Sequence, residues 1–348
     1  IIVSLVGSEM CIRDRTKGSR RPTHGRSTAQ DVANLAGVSL TTVSRAFHPK
    51  LSVAEKTRKL VRSAAAELNY SPNLAARALA GRRSNLIGLL INNFDDPEQL
   101  ELFRSVSSEA QKRGFHALLL NIDQESQQVE SVDAALQYQV DGLLVSASHL
   151  PESLVQRGAE LDKPVVVVGR RTHRLEYSAI YCDNVAGASA VADYLFEHGC
   201  KRPAFIGGRA EATIVQERQA GFVGRIEELY GYQPMARIAG ANDYENGIKA
   251  VNELLSLPKV PDGIFCVSDL LAIAARDAIL LSGISEKPQV VGFGGTFLSK
   301  LESYKFPTVQ VPFQKMVRTA TSHLIDLVEG LEEGPKEIAF QCELVSNS

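Results

Sequence analysis

The sequence has no tryptophan, and its 348 residues include only three methionines and five cysteines. The cysteines are far apart, none forms a CxxC pair, and their number is odd. This usage argues against a disulfide framework or a structural zinc site and is typical of a protein of the reducing cytoplasm. We therefore expect a cytoplasmic protein with no metal site. The cysteines are Cys11, Cys182, Cys200, Cys266 and Cys342.

Long apolar runs are also missing. The longest candidates, residues 86–91 and 165–168, are far below the roughly 18 residues of a membrane helix. Hydrophobic residues make up 44% and charged residues 22%, as in ordinary globular chains. The length suggests roughly two domains of ~150 residues each, and we expect no membrane partner.

Common catalytic motifs are absent as well: there is no HExxH, no GxxxxGK[ST] and no GxSxG. Gly292, Gly294 and Gly295 follow an apolar run and invite comparison with a dinucleotide-binding loop. That loop needs a further glycine at position 297, where Phe297 stands. We therefore expect neither enzymatic activity nor a cofactor.

Charge is distributed very unevenly along the chain. Residues 20–84 contain twelve Lys or Arg against three Asp or Glu, a net charge of +9, whereas residues 85–348 carry a net charge of −12. A small basic segment joined to an acidic one indicates a polyanionic partner for the basic segment.

The first 26 residues are not assigned to either domain. Residues 1–15 resemble translated adapter sequence. The alternative, a signal peptide, lacks a basic start before its apolar residues and is interrupted by Glu9. Residues 16–26 are polar and basic, and we expect them to be disordered.

The basic segment contains signals for three short helices. Thr28 and Asp31 form a capping box that predicts a first helix over residues 29–36. Gly37 permits the positive φ of a tight turn, and Ser39 can cap a second helix over residues 40–47. The sequence Ser52-Val-Ala-Glu55 predicts a second capping box and a third helix over residues 53–69. A helix, a glycine turn and a second helix within about twenty residues form the helix-turn-helix pattern.

These residues also carry a family resemblance. Residues 31–45, DVANLAGVSLTTVSR, resemble the DNA-binding region of LacI/GalR-type transcriptional regulators, and the resemblance continues to about residue 343. It implies a helix-turn-helix domain over residues 27–72 (the head), a hinge helix and linker over 73–84, and an effector-binding and dimerisation domain over 85–348 (the body).

The resemblance implies that Leu40 and Thr41 read base edges and that Thr42, Ser44 and Arg45 contact phosphates or bases. Leu79 matches a leucine that enters the minor groove, although it could instead pack on the body as a linker residue. An apolar wedge of this kind unstacks a base step and bends the duplex. The candidate DNA-contacting residues are Thr28, Leu40, Thr41, Thr42, Ser44, Arg45, His48, Asn73, Ala76 and Leu79.

The body alternates short apolar runs with helical patterns, which predicts parallel sheets covered by helices. The resemblance implies two lobes of the type I periplasmic-binding-protein kind. The first comprises about residues 85–182 and 312–340, and the second about 183–311 and 341–348. The expected strands are residues 86–91, 117–121, 142–146, 165–169, 179–182, 204–207, 263–267 and 290–293.

Ligands of such folds lie at the carboxyl ends of strands, and polar residues follow several of the expected strands. Arg218 could clamp a hydroxyl pair or a carboxylate, or it could form a surface salt bridge. Asp183, Ser268 and Asp269 could contact the ligand, cap the next helix, or do both. The candidate effector-contacting residues are Asn92, Asn93, Arg170, Asp183, Arg218, Asn242, Ser268, Asp269 and Gly294.

Two positions depart from the family pattern. Gly294 and Gly295 follow Val291-Gly-Phe293 where the family usually has an acid, and Asn242 stands where an aromatic platform is common. Tyr244 could replace that platform. We therefore expect a small polar effector, such as a sugar or a sugar acid, that need not match the family's known effectors.

The expected function is that of a homodimeric repressor that binds double-stranded operator DNA and a small-molecule effector. No leucine-heptad segment follows residue 343 in this sequence, which favours a dimer over a tetramer. The effector could act as inducer or as corepressor. The alternative is a ligand-binding protein of the periplasmic sugar-binding type, which would need an export signal and would lack the basic head.

Overall fold

The computed structural model describes residues 27–47, 51–71, 83–91, 97–121, 137–146, 163–171 and 176–346. The chain divides into two compact units, Ile1–Leu74 and Ala75–Ser348. The described part of the first unit is helical, whereas the second combines helices with two parallel-stranded sheets.

The described residues of the head form three helices: α1 (Ala29–Ala36), α2 (Leu40–Ala46) and α3 (Glu55–Glu67). The Thr28 and Asp31 capping box and the Ser39 cap are present, as the sequence predicts. Gly37 ends α1 with a φ of 64°, the left-handed conformation that glycine adopts at no steric cost.

The predicted start of α3 is wrong. Ala54 is the N-cap residue and makes no side-chain bond to the helix, so Ser52 and Glu55 do not form a capping box. The helix instead begins two residues later than predicted, at Glu55. Tertiary packing holds it, because Val61, Ala64 and Ala65 are buried against α1 and α2.

The first sheet of the body has the strand order β11-β5-β4-β3-β1-β2, and all its described pairings are parallel. Helices α4 (Pro97–Lys112) and α9 (Phe313–Glu329) pack on it. The strands are β1 (Leu86–Ile91), β2 (His116–Asn121), β3 (Gly142–Ser146), β4 (Val165–Val168), β5 (Ser178–Cys182) and β11 (Glu337–Phe340).

The second sheet has the order β12-β10-β9-β8-β6-β7, with only the pairing of β10 and β12 antiparallel among those described. Its strands are β6 (Pro203–Gly207), β7 (Met235–Ile238), β8 (Gly263–Cys266), β9 (Gln289–Gly294), β10 (Thr308–Gln310) and β12 (Glu343–Val345). Its helices are α5 (Asn184–Glu197), α6 (Thr213–Tyr230), α7 (Tyr244–Leu255) and α8 (Asp269–Ser282), and a short 3-10 helix spans Phe297–Lys300.

The described residues therefore form an all-α helix-turn-helix unit followed by a two-lobed α/β body of the periplasmic-binding-protein kind. All eight expected strands are present within one residue at each end. Strands β7, β10, β11 and β12, which have only three or four residues, were not predicted. Three of them are at most half-buried, so they lack a continuous apolar run. The domain boundaries stay a prediction.

The chain passes between the two sheets after β5, after β10 and between β11 and β12. The carboxyl ends of β5 and β11 lie side by side, since Cys182 pairs with Phe340 and the Asp183 N–H donates to the Phe340 carbonyl at 2.9 Å.

Among the described residues, none of the helices has both the length and the apolar character that spanning a membrane requires.

Candidate DNA-binding surface and effector crevice

Helix α2 presents one exposed face to solvent. Thr41, Ser44 and Arg45 are exposed, and Leu40 keeps 49% of its surface accessible. Val43 and Ala46, on the other face, are buried in the core of the head. An exposed leucine beside hydroxyl and guanidinium groups provides both apolar and hydrogen-bonding contacts for base edges and phosphates.

Two of the candidate hydroxyls of the head lie at helix starts, where Thr28 caps α1 and Thr42 bonds to Ser39, the cap of α2. The Thr28 hydroxyl donates to Asp31 at 2.7 Å and accepts from the Asp31 N–H. The backbone and hydroxyl bonds from Thr28 hold the pKa of Asp31 below its usual value. The half-buried Thr42 has its hydroxyl 2.8 Å from that of Ser39. Both threonines thus fix the ends of the helices that carry the surface.

Arg58 of α3 holds the end of α2 in place. Its guanidinium donates to the Ala46 carbonyl at 2.7 Å and to the Leu51 carbonyl at 2.9 Å. Sequence reasoning counted Arg58 only as one of the basic residues of the head. An arginine that bonds to a distant backbone carbonyl shows no local pattern in the sequence. Only the fold therefore distinguishes the structural role of Arg58 from that of the exposed Arg45.

Six of the predicted site residues lie outside the described residues. They are His48, Asn73, Ala76, Leu79, Asn92 and Asn93. Their roles stay predictions.

In the body, Arg218 of α6 connects three of the segments that sequence reasoning singled out. Its Nε donates to Asn184 at 2.9 Å, next to Asp183, and its Nη1 donates to the Val267 carbonyl at 2.6 Å, next to Ser268. Within the described residues Arg218 forms no ion pair, which leaves the salt-bridge alternative without support. Its position is fixed by neutral acceptors, so its charge remains available to a ligand.

Asn184 was not among the predicted residues. Its side chain is buried, accepts from Arg218 and donates to Glu217 at 2.7 Å. The adjacent Asp183 caps α5, accepting from the Ala186 N–H at 2.9 Å. The Asp-Asn pair after a strand could have signalled both roles, because amide and carboxylate groups at that point meet the start of the next helix.

The capping role proposed for Asp269 is wrong. Ser268 is the N-cap of α8, while Asp269 is its first residue. Asp269 is 1% exposed, and its carboxylate accepts from Thr308 at 2.5 Å and from the backbone and hydroxyl of Thr296 at 2.6 and 2.8 Å. Burial raises its pKa, and these bonds and the Arg218 charge oppose that shift. Both oxygens are therefore already engaged in holding β9 and β10.

Asn242 and Ser268 meet in the second lobe, where the Ser268 hydroxyl donates to Asn242 Oδ1 at 2.5 Å. Tyr244 is engaged elsewhere: its hydroxyl donates to Asp277 at 2.8 Å, and this bond raises the Tyr244 pKa. The structure therefore gives no support to Tyr244 as a replacement for the aromatic platform.

Arg170 and Gly294 lie where the sequence placed them, after β4 and at the end of β9. Arg170 is half-buried and takes part in a polar or charged interaction. Gly294 has no side chain, so only its backbone could contact an effector, and its carbonyl already accepts from the Val311 N–H at 3.1 Å. In the described part of the chain, no group of three His, Cys, Asp or Glu residues is arranged to hold a metal ion.

Two family models match the chain. Residues 28–73 match the bacterial regulatory proteins of the lacI family, and residues 84–348 match the periplasmic binding proteins and sugar binding domain of the LacI family. Together they cover both units.

Two curated relatives and a solved structure that are similar to the chain are repressors by name. The chain is 29% identical to the transcriptional repressor CytR of Escherichia coli K12, over 92% of this chain and 95% of CytR. It is 33% identical to the ribose operon repressor of Halalkalibacterium halodurans, over 87% and 91%. It resembles the Lac repressor dimer bound to operator and an anti-inducer, with a TM-score of 0.81, 25% identity and coverage of 92% and 98%. The chain belongs to the LacI family of bacterial regulatory proteins.

Proposed function

We propose that this protein is a transcriptional repressor that binds a pseudo-palindromic operator as a homodimer and is controlled by a small polar metabolite. The observation that carries the proposal is the exposed face of α2, where Leu40, Thr41, Ser44 and Arg45 are accessible above a buried Val43. Such a face is suited to a major groove about 12 Å wide.

The alternative, a periplasmic sugar-binding protein, accounts for the body but not for the head. A periplasmic sugar-binding protein does not require a basic helix-turn-helix unit, whereas a repressor requires one to bind DNA. The relatives that match over nearly the full length are repressors by name, not enzymes, and we propose no catalysis. Because the target is DNA, we place the protein in the cytoplasm.

Dimerisation follows from the operator geometry that we propose. Two heads related by two-fold symmetry would read the two halves of one site, so the operator would be a pseudo-palindrome. The solved Lac repressor relative is a dimer on its operator. We infer the same assembly here, with residues 73–79 forming the hinge helix that carries Leu79.

The effector would bind beside Arg218, where Asp183, Asn242 and Ser268 supply further polar groups. Arg218 can make charge-assisted bonds to a hydroxyl pair or a carboxylate. Asp269 is not among the contacts we propose, because its two oxygens are engaged by Thr296 and Thr308. By linkage, effector affinity and operator affinity must change each other by the same factor.

The experiment that tests this function is selection of bound duplexes from a random DNA pool by purified residues 27–348. We expect an enriched palindrome with a flexible pyrimidine–purine step at its centre. The Arg45→Ala protein serves as control and should recover the same site less efficiently. Recovery of no enriched sequence, with only weak salt-sensitive binding, in the presence as well as the absence of a metabolite extract would overturn the proposal.

A further inference from the structure

The body contains a polar cavity that lies away from the residues around Arg218, where we place the effector crevice. It has a volume of about 580 Å³ and opens at the amino ends of β3, β4 and β5. Effectors of such folds bind at the carboxyl ends of strands, which is the opposite edge of the sheet. This cavity, which we call the amino-edge cavity, is therefore separate from the proposed effector site.

The acidic side chains of the amino-edge cavity are already engaged. Asp141 accepts from the backbone N–H groups of Ser84 and Asn85 at 3.1 and 2.7 Å. Glu332 accepts from Lys336 at 2.7 Å and lies 2.5 Å from the His323 ring. These two partners hold the pKa of Glu332 below its usual value.

The third acid, Glu176, also takes part in a polar or charged interaction. The floor of the cavity is fixed too, because the buried Ser178 hydroxyl lies 2.7 Å from His323 and accepts from the Lys336 N–H at 3.1 Å. The carbonyl groups that end α9 beside the cavity are bonded by the N–H of Gly330.

Two cationic side chains, those of Arg83 and Lys163, also line the cavity. Neither forms an ion pair or a hydrogen bond in the part of the chain that the structure describes. Lys163 is half-buried and enters the cavity just before β4, while Arg83 is exposed. Two cations without a partner among the described residues, beside acids whose oxygens already accept hydrogen bonds, favour an anionic occupant.

Arg83 also links the cavity to the connection between the two units. It lies at the end of the predicted hinge and linker, residues 73–84, and next to Ser84 and Asn85, whose N–H groups donate to Asp141. A ligand that binds Arg83 would therefore act on the point where the connection enters the body. Differential binding at that point can shift operator affinity.

We propose that the amino-edge cavity is a second regulatory site, which binds a small anion bearing carboxylate or phosphate groups through Arg83 and Lys163. This proposal goes beyond the crevice and its effector. Its regulatory part rests on the proposed operator binding, whereas its binding part does not.

Titration calorimetry on the full chain tests the binding part, with succinate and inorganic phosphate as separate probes at constant ionic strength set with chloride. We expect saturable binding of at least one probe. Arg83→Gln and Lys163→Gln should each weaken it about ten-fold, the loss of one charge-assisted bond. Lys249→Gln is the matched control: Lys249 is an exposed lysine of α7 in the other lobe, and its loss should change nothing.

Operator titrations with and without the bound probe test the regulatory part. We expect the anion to change operator affinity at least about five-fold, and Lys163→Gln to remove the change while leaving operator affinity without anion intact. No saturable binding of either probe, or equal binding by wild type and both variants, would overturn the site. Binding without any change in operator affinity would overturn its regulatory role and leave the proposed function standing.

Discussion

The guanidinium carbon of Arg218 lies 3.6 Å from the centroid of the Phe293 ring. Phe293 is buried at the end of β9, so this contact joins α6 to the centre of the second sheet. The ring face attracts the cation without neutralising it. Arg218 is thus held in place while its charge stays available, as an effector contact requires.

The first prediction concerns that contact. Arg218→Ala should abolish the effect of the effector on operator binding while leaving operator affinity without effector unchanged. The measurement is an operator titration with and without the metabolite found by screening. Arg225→Ala is the control, because Arg225 lies on the same helix and pairs with Asp193 and Glu228. A normal response of the Arg218 variant would remove Arg218 from the site.

Leu40 and Leu60 allow a matched comparison within the head. They expose 49% and 51% of their surface, but only Leu40 lies on the exposed face of α2. Leu40→Ala should weaken specific operator binding about ten-fold, the loss of one base contact, and should leave non-specific binding nearly unchanged. Leu60→Ala should affect neither. Equal losses for the two variants in fluorescence anisotropy titrations would contradict the role given to Leu40.

Arg45 is predicted to contact a phosphate. Arg45→Ala should therefore weaken binding to all DNA sequences and reduce by about one the slope of log affinity against log salt concentration. Lys259→Ala, in the second lobe of the body, is the control for net charge. An unchanged slope for the Arg45 variant would show that Arg45 makes no such contact.

Gly292 is predicted to be essential for packing. A Cβ atom there would lie 2.5 Å from Asp269 Oδ1 and 2.7 Å from Phe306. Gly292→Ala should lower the free energy of unfolding by about 1–3 kcal/mol, the usual cost of overpacking. Gly224→Ala is the control, since its Cβ would meet nothing within 4 Å and alanine favours a helix. Urea unfolding measures both, and equal stability of the two variants would refute the packing argument.

The buried thiols should be unreactive in the folded protein. Burial, with the nearby Asp262, raises the pKa of Cys200 to about 11, and burial raises the pKa of Cys266 further. At pH 8 only about one Cys200 in a thousand would be a thiolate, the form that reacts. Iodoacetamide followed by mass spectrometry should leave both unlabelled until the chain is unfolded. Rapid labelling of Cys266 in the native protein would contradict its position in the core.

The features of this protein that can be predicted from its sequence are those that depend on neighbouring residues. The caps at Thr28 and Ser39, the turn at Gly37 and the eight expected strands involve contacts or patterns within a few residues, so they can be read locally. The same local reasoning failed at Ser52, because α3 begins at Glu55 without a side-chain cap and is held by the burial of Val61, Ala64 and Ala65.

The contacts of Asp269, Arg218 and Arg58, in contrast, depend on the packing of distant segments. Asp269 bonds to residues 27 and 39 positions away, and Arg218 bonds to residues 34 and 49 positions away. Only the order of the strands and the packing of helices on them bring such residues together. A carboxylate or guanidinium group looks the same in sequence whether it meets a ligand or a distant backbone carbonyl, because its partner is chosen by the fold.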